Sequence, residues 1–219
     1  MAGCGPGTGP RMAEKRWARP AGAGEADPVS RIGHSGSLRR LYVIGGAGSG
    51  KTVLARYLSE LLGIRHVELD LGGFREVESL AGEVGPWVVE GAFVYGIEPL
   101  LRSAELIVWL DLAPRVALRR ILWRHARLSL AGRNRHRGLR KLVHFMAAQR
   151  GYYRSPARPA TGPTDWGAIS RAATAQLLEP ISNKVVRLTS PRQVRAWRAS
   201  VHAATASSAG GGWPPILIA

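Results

Sequence analysis

Residues 45–52 read Gly-Gly-Ala-Gly-Ser-Gly-Lys-Thr, and this stretch constrains the fold more tightly than any other. It matches G-x-x-x-x-G-K-[ST], a pattern that has meaning only between a strand and a helix. Both flanks are present. Leu41–Ile44 is a short apolar run that stops at glycines, as a buried strand does. From Thr52 onward, Val53, Leu54, Tyr57, Leu58 and Leu61 recur at helical spacing until Gly63. The chemistry requires this layout. Glycine lets backbone N–H groups turn inward around phosphate oxygens, where a side chain would block them. The helix N-terminus adds its partial positive charge. Gly45, Gly46, Ala47, Gly48, Ser49, Gly50, Lys51 and Thr52 are therefore the expected phosphate cradle. Lys51 reaches the β- and γ-phosphates of a nucleoside triphosphate, and the Thr52 hydroxyl coordinates Mg²⁺. ATP and Mg²⁺ are the expected cofactors. A Gly-rich turn that merely joins strand to helix would leave both the lysine and the hydroxyl unexplained.

The rest of the chain repeats the alternation of strand and helix. Further apolar strands are expected at Ile64–Leu69, Trp87–Val89, Leu106–Leu110 and Lys184–Leu188. Pro114 stands near the start of a long helix to about Leu130, and Gly138–Tyr153 is a second. Ser190 caps a final helix, with Pro191 at its first position, where a missing N–H costs nothing. Strands apolar throughout and separated by helices imply a parallel sheet covered on both faces, hence an α/β sandwich of three layers. Residues 1–37 are rich in Gly, Pro, Ala and Arg without apolar periodicity and read as a disordered tail. Residues 38–202 form the expected domain, and 203–219 read as a second tail.

Cys4 is the chain's one cysteine, so no disulfide framework exists and a reducing, cytoplasmic setting is expected. No apolar run is long enough to span a bilayer. The net charge of +16 is unevenly placed. Residues 38–111 carry 7 basic and 10 acidic side chains, whereas residues 112–164 carry 13 basic and none acidic. Such a block suits several phosphates at one site, or a nucleic-acid backbone. Within it Arg120, Arg124 and Arg127 fall at i, i+4 and i+7, on one helix face. Like charges in a row repel, so the stripe suits a polyanion, with a solvated basic face as the bland alternative. Three acids end strands, Asp70, Glu90 and Asp111, where open parallel sheets bind ligands. By string alone, Ile107–Asp111 is the better metal-side carboxylate motif. His125, His136 and His144 lack metal-ligand spacing. Tyr152, Tyr153 and Trp166 read as packing residues, with base stacking as the alternative.

Gly45–Thr52, Glu68-Leu69-Asp70, Trp87–Gly91, Trp109-Leu110-Asp111 and Arg119-Arg120 together resemble the adenylate-kinase-like P-loop kinases, nearest to the topology-modulation or adenylate-kinase-related subgroup. The resemblance covers about residues 39–200. It implies a P-loop NTPase sandwich with a five-stranded parallel sheet in the order 2-3-1-4-5. It also implies a mobile arginine-bearing helical lid, about residues 115–158, in which Arg120 and Arg124 grip the transferring phosphoryl group. Glu90 becomes the metal-side carboxylate, since its strand would lie beside the loop strand. Asp111 becomes a cap or anchor before Pro114. Asp70 would face the acceptor as base or orienting group, or else be a turn residue. Two departures stand out: Phe74 where the subgroup has tryptophan, and a short segment between Asp70 and Trp87, where such kinases build the acceptor lobe. The leading expectation is a kinase that transfers the γ-phosphoryl group of Mg-ATP to a small, nucleoside- or nucleotide-like acceptor. The alternatives are a nucleic-acid-associated ATP-binding protein, against which no nucleic-acid-binding motif appears, and a nucleotide-binding protein that has lost transfer.

Overall fold

The computed structural model describes residues 38–69, 74–83, 85–92, 95–133, 138–162 and 165–209. The expected tail 1–37, Cys4, Asp70 and His136 lie outside the described residues, as does 210–219. Five strands, β1 (Arg40–Gly45), β2 (Arg65–Glu68), β3 (Trp87–Gly91), β4 (Leu106–Leu110) and β5 (Val185–Leu188), form one sheet in the order β2-β3-β1-β4-β5. Every pairing is parallel. Seven α-helices accompany them: α1 (Lys51–Leu62), α2 (Phe74–Gly82), α3 (Glu98–Ser103), α4 (Pro114–Leu130), α5 (Leu139–Arg154), α6 (Arg171–Leu178) and α7 (Pro191–Ala209).

Successive side chains of a strand enter opposite layers, which is why residues 41–44 of β1 and all of β4 run apolar without a polar break. Tyr42, Ile44, Val89, Ile107 and Trp109 join Val77 of α2, Leu100 of α3 and Leu178 of α6 on one face. Leu41, Val43, Val88, Val108 and Leu110 join Leu54 and Leu58 of α1 and Trp197 and Val201 of α7 on the other. Helix ends follow their local chemistry. Gly63 ends α1 in the left-handed region, its N–H bonding to the Ser59 carbonyl. The Ser190 Oγ accepts the Gln193 N–H at the start of α7.

Three features differ from the sequence reading. Helices α2 and α3 have too few turns to show a period, yet Val77, Leu80, Leu100 and Leu101 are buried. Strand β3 runs on through Glu90 to Gly91. Helix α7 continues to Ala209, past the expected boundary at 203, because Val201 and Ala204 still face the core. Among the described residues no helix is long and apolar enough to cross a membrane.

Candidate nucleotide-binding cleft

The loop after β1 opens into a cleft of about 670 Å³, within the usual range for a small ligand. Ala47, Gly48, Ser49, Gly50, Lys51 and Thr52 line it, whereas Gly45 closes β1 and Gly46 lies behind the loop. The loop is wedged between the two helices that follow β4. Gly48 has φ +75°, and a Cβ there would sit 2.7 Å from the Ala117 carbonyl of α4. A Cβ on Gly46 would sit 2.7 Å from the ring of Tyr152 on α5. Neither position tolerates a side chain.

Polar contacts tie the same helices to the loop backbone. Arg120 donates to the Ser49 carbonyl at 2.7 Å, and Gln149 donates to the Ala47 carbonyl at 2.8 Å. Tyr153 donates to the Leu112 carbonyl at 2.9 Å. The first two bonds engage carbonyls of the loop itself, and the third ties α5 to the segment that follows β4. The Arg120 guanidinium pKa is lowered, first by burial and then by Arg119 beside it.

Lys51 donates to the Gly46 carbonyl at 3.3 Å. Burial pushes its ammonium pKa down; Glu90 and Glu68 pull it back up, and Arg124 lowers it further. Glu90 pairs in register with Val43 of β1 and with Glu68 of β2, so its strand does adjoin the loop strand. The carboxylate is buried, at 2% exposure, and lines the cleft. Its Oε1 has no hydrogen-bond partner among the described residues, with His66 Nε2 4.0 Å away. A buried, unsatisfied carboxylate oxygen is costly and calls for a partner. Beside Thr52 and a phosphate cradle, it fits the donor set that Mg²⁺ prefers, one carboxylate plus phosphate oxygens and water.

Asp111 is placed differently. Its side chain is buried between two guanidiniums: Arg171 donates to both its oxygens at 2.6 and 2.9 Å, and Arg187 donates to Oδ2. Arg187 also lies over the Trp109 ring, 4.6 Å from its centroid. Both oxygens are engaged, so Asp111 joins β4, β5 and α6 as an anchor. Of the arginine stripe, Arg120 and Arg124 line the cleft and Arg127 does not.

Sequence reasoning passed over several cleft residues. Glu68 lines the cleft one strand over from Glu90, although it was quoted beside Asp70. Gln149 reaches the loop from 102 residues away, and nothing in its neighbourhood signals that. Pro191, Arg195 and Arg198 of α7 form the far wall. Their i, i+4, i+7 spacing was a usable signal. Trp123 and Trp166 also line the cleft, 70% and 48% exposed, whereas Tyr152 is a packing residue.

Sheet order, loop and flanking helices define a P-loop α/β sandwich with a five-stranded parallel sheet. No family model matches the chain. Part of it is similar to shikimate kinase of Acinetobacter baylyi (strain ATCC 33305 / BD413 / ADP1), 37% identical over 79 residues, which is 36% of this chain and 39% of that one. Shikimate kinase of Acinetobacter baumannii (strain AYE) is 34% identical over 82 residues, 37% of this chain and 41% of that one. The chain thus spans about two-fifths of the length of the curated relatives it matches. A gluconokinase structure from Sinorhizobium meliloti 1021 aligns with TM-score 0.42 and 14% identity, covering 79% of this chain and 94% of that one. Shikimate kinase from Acinetobacter baumannii in complex with shikimate aligns with TM-score 0.34 and 18% identity, covering 72% and 99%. Structural overlaps this loose carry no inference about substrate.

Proposed function

We propose that the protein is a phosphotransferase that moves the γ-phosphoryl group of ATP to a hydroxyl of a small acceptor. The observation that carries this reading is the juxtaposition of the phosphate loop with the buried, unsatisfied Glu90 carboxylate in one cleft. The partial similarity to shikimate kinases supports the same reaction class. Thr52 and Glu90 would hold Mg²⁺, which when bound neutralises phosphate charge. The loop amides and Lys51 bind and orient the phosphates. Arg124, reaching the cleft from α4, meets the charge that spreads over the γ-phosphoryl oxygens. Arg120 holds the loop in shape through the Ser49 carbonyl.

In transfer, the bond from the γ-phosphorus to the bridging oxygen breaks and ADP leaves with that oxygen's electron pair. The acceptor oxygen forms the new bond, and its proton passes to a carboxylate. We assign that carboxylate to Asp70, next in sequence to the cleft residue Leu69. The spacing of the loop, Glu90 and Arg119-Arg120 supports the finer placement near the topology-modulation proteins, and the lone cysteine is compatible with a cytoplasmic setting.

The test is ADP release from Mg-ATP by the full chain, with a panel of shikimate, other hydroxy acids, nucleosides and nucleotides. One acceptor should raise turnover well above the acceptor-free rate, and Lys51→Met should abolish the increase. Tight nucleotide binding with no stimulation by any acceptor class would leave a nucleotide-binding protein without transfer.

A further inference from the structure

Helices α4 and α5 enclose a second trough, of about 1180 Å³, which meets the nucleotide cleft at Ile121 and Arg124. Its floor is apolar: Leu128, Leu142, Val143 and Phe145. Its rim is cationic: Arg133, Arg140, Lys141 and His144. Val143 is 64% exposed and Phe145 is 41% exposed. Of the large apolar side chains exposed among the described residues, Val143 and Phe145 line this trough, beside Leu142. Contiguous apolar surface of this kind marks a binding face.

We propose that this trough docks an acidic amphipathic helix of a partner protein. Its volume exceeds the usual small-ligand range. Helix α4 lines the trough from Ile121 to Leu128, a wall of roughly 10 Å that matches about two turns at the centre of a docked helix. An apolar stripe would fill the floor, as amphipathic helices fill grooves. Acidic flanks would meet the rim, where Arg133, Arg140 and Lys141 stand and no acidic side chain is among the described lining residues. The same charge argues against other occupants. A second copy would set two cationic rims against each other. The chain's own tails offer nothing complementary: residues 1–37 carry 5 basic and 3 acidic side chains, and 210–219 carry no charged one. A nucleic-acid backbone would satisfy the rim but leave the floor wet. A bilayer would favour a convex apolar face, and these side chains line a concave one.

The test is fluorescence anisotropy of a labelled synthetic peptide at physiological salt with the full chain. The peptide has about four turns, leucines along one face and glutamates on its flanks. No nucleotide is present, so this result is independent of the phosphotransferase reading. Saturable binding is expected. Val143→Asp, at an exposed position that leaves folding intact, should weaken it about tenfold or more. Lys141→Glu with Arg140→Glu should do the same, and a lysine-flanked peptide should restore affinity to that variant. Each of four outcomes overturns the proposal: no binding, binding indifferent to Val143→Asp, equal binding of a peptide with scrambled leucines, or tighter binding of duplex DNA or phosphatidylglycerol vesicles. Self-association that Val143→Asp abolishes would hand the face to a second copy.

Discussion

Lys51 is drawn between opposing forces. Burial and Arg124 favour its neutral form; Glu90 and Glu68 favour the ammonium. A bound triphosphate would tip that balance toward the charge. Lys51→Met should therefore cost nucleotide affinity and lower turnover by on the order of a hundredfold or more, read by titration calorimetry and ADP release. The two buried acids should separate cleanly. Glu90→Gln removes the charge of a carboxylate whose buried Oε1 has no hydrogen-bond partner among the described residues. It should abolish most Mg²⁺-dependent turnover while the melting temperature holds or rises. Asp111→Asn instead leaves Arg171 and Arg187 against a neutral amide. Breaking a buried pair costs 3–5 kcal/mol, and the partial exposure of Arg171 brings the expected loss to about 3 kcal/mol. A urea melt and a Mg²⁺ titration on both variants test the split; the reverse pattern would move the metal-side role to Asp111.

At the scale of elements, α4 and α5 act on the phosphate loop from behind. Arg124→Ala should lower kcat by on the order of a hundredfold with ATP affinity little changed, because the contact strengthens only as charge develops. Arg120→Ala should weaken nucleotide binding as well, since it releases the Ser49 carbonyl. Single-turnover kinetics and calorimetry distinguish the two. Tyr152, the α5 ring packed on Gly46, has its phenol pushed up to about 12, chiefly by burial and then by Asp111, with hydrogen bonding pulling the other way. An unfolded tyrosine titrates near 10. Between these values the unfolded chain releases a proton that the folded chain keeps, so stability falls as pH rises. The loss should approach about 2 kcal/mol by the upper end. Tyr152→Phe should flatten that part of the pH profile of the urea midpoint; an unchanged slope would show that the phenol does not titrate this way.

For the whole molecule, the charge map and the fold divide the chain alike. The sheet and its covering helices use acids and bases in near balance, and nine of the 13 basic side chains of residues 112–164 lie on α4 and α5. Among the described residues, the core-packed side chains begin at Leu38 and β1 starts at Arg40. A chain beginning at Leu38 should bind nucleotide within about twofold of the full protein. A cut after His202 should be costlier, because it removes the last turns of α7, where Ala204 packs on the core. Thermal melts of the two truncations give the ranking.

Sequence alone determined whatever depends on neighbours along the chain. The loop motif, the apolar runs of β1 and β4, Pro114 and Pro191 at helix starts, and Gly63 at a helix end are local signals, each with a local cause. The order 2-3-1-4-5 came from resemblance, and the strand registers bear it out. Only tertiary structure decided which strand-end acid stands unsatisfied and which is neutralised. That difference arises from Arg171 and Arg187, 60 and 76 residues beyond Asp111, and no spacing rule reaches so far. Gln149 and Tyr152 on the loop are of the same kind. Contacts made by chain return carry no local periodicity, so they become visible only once the sheet brings their elements together.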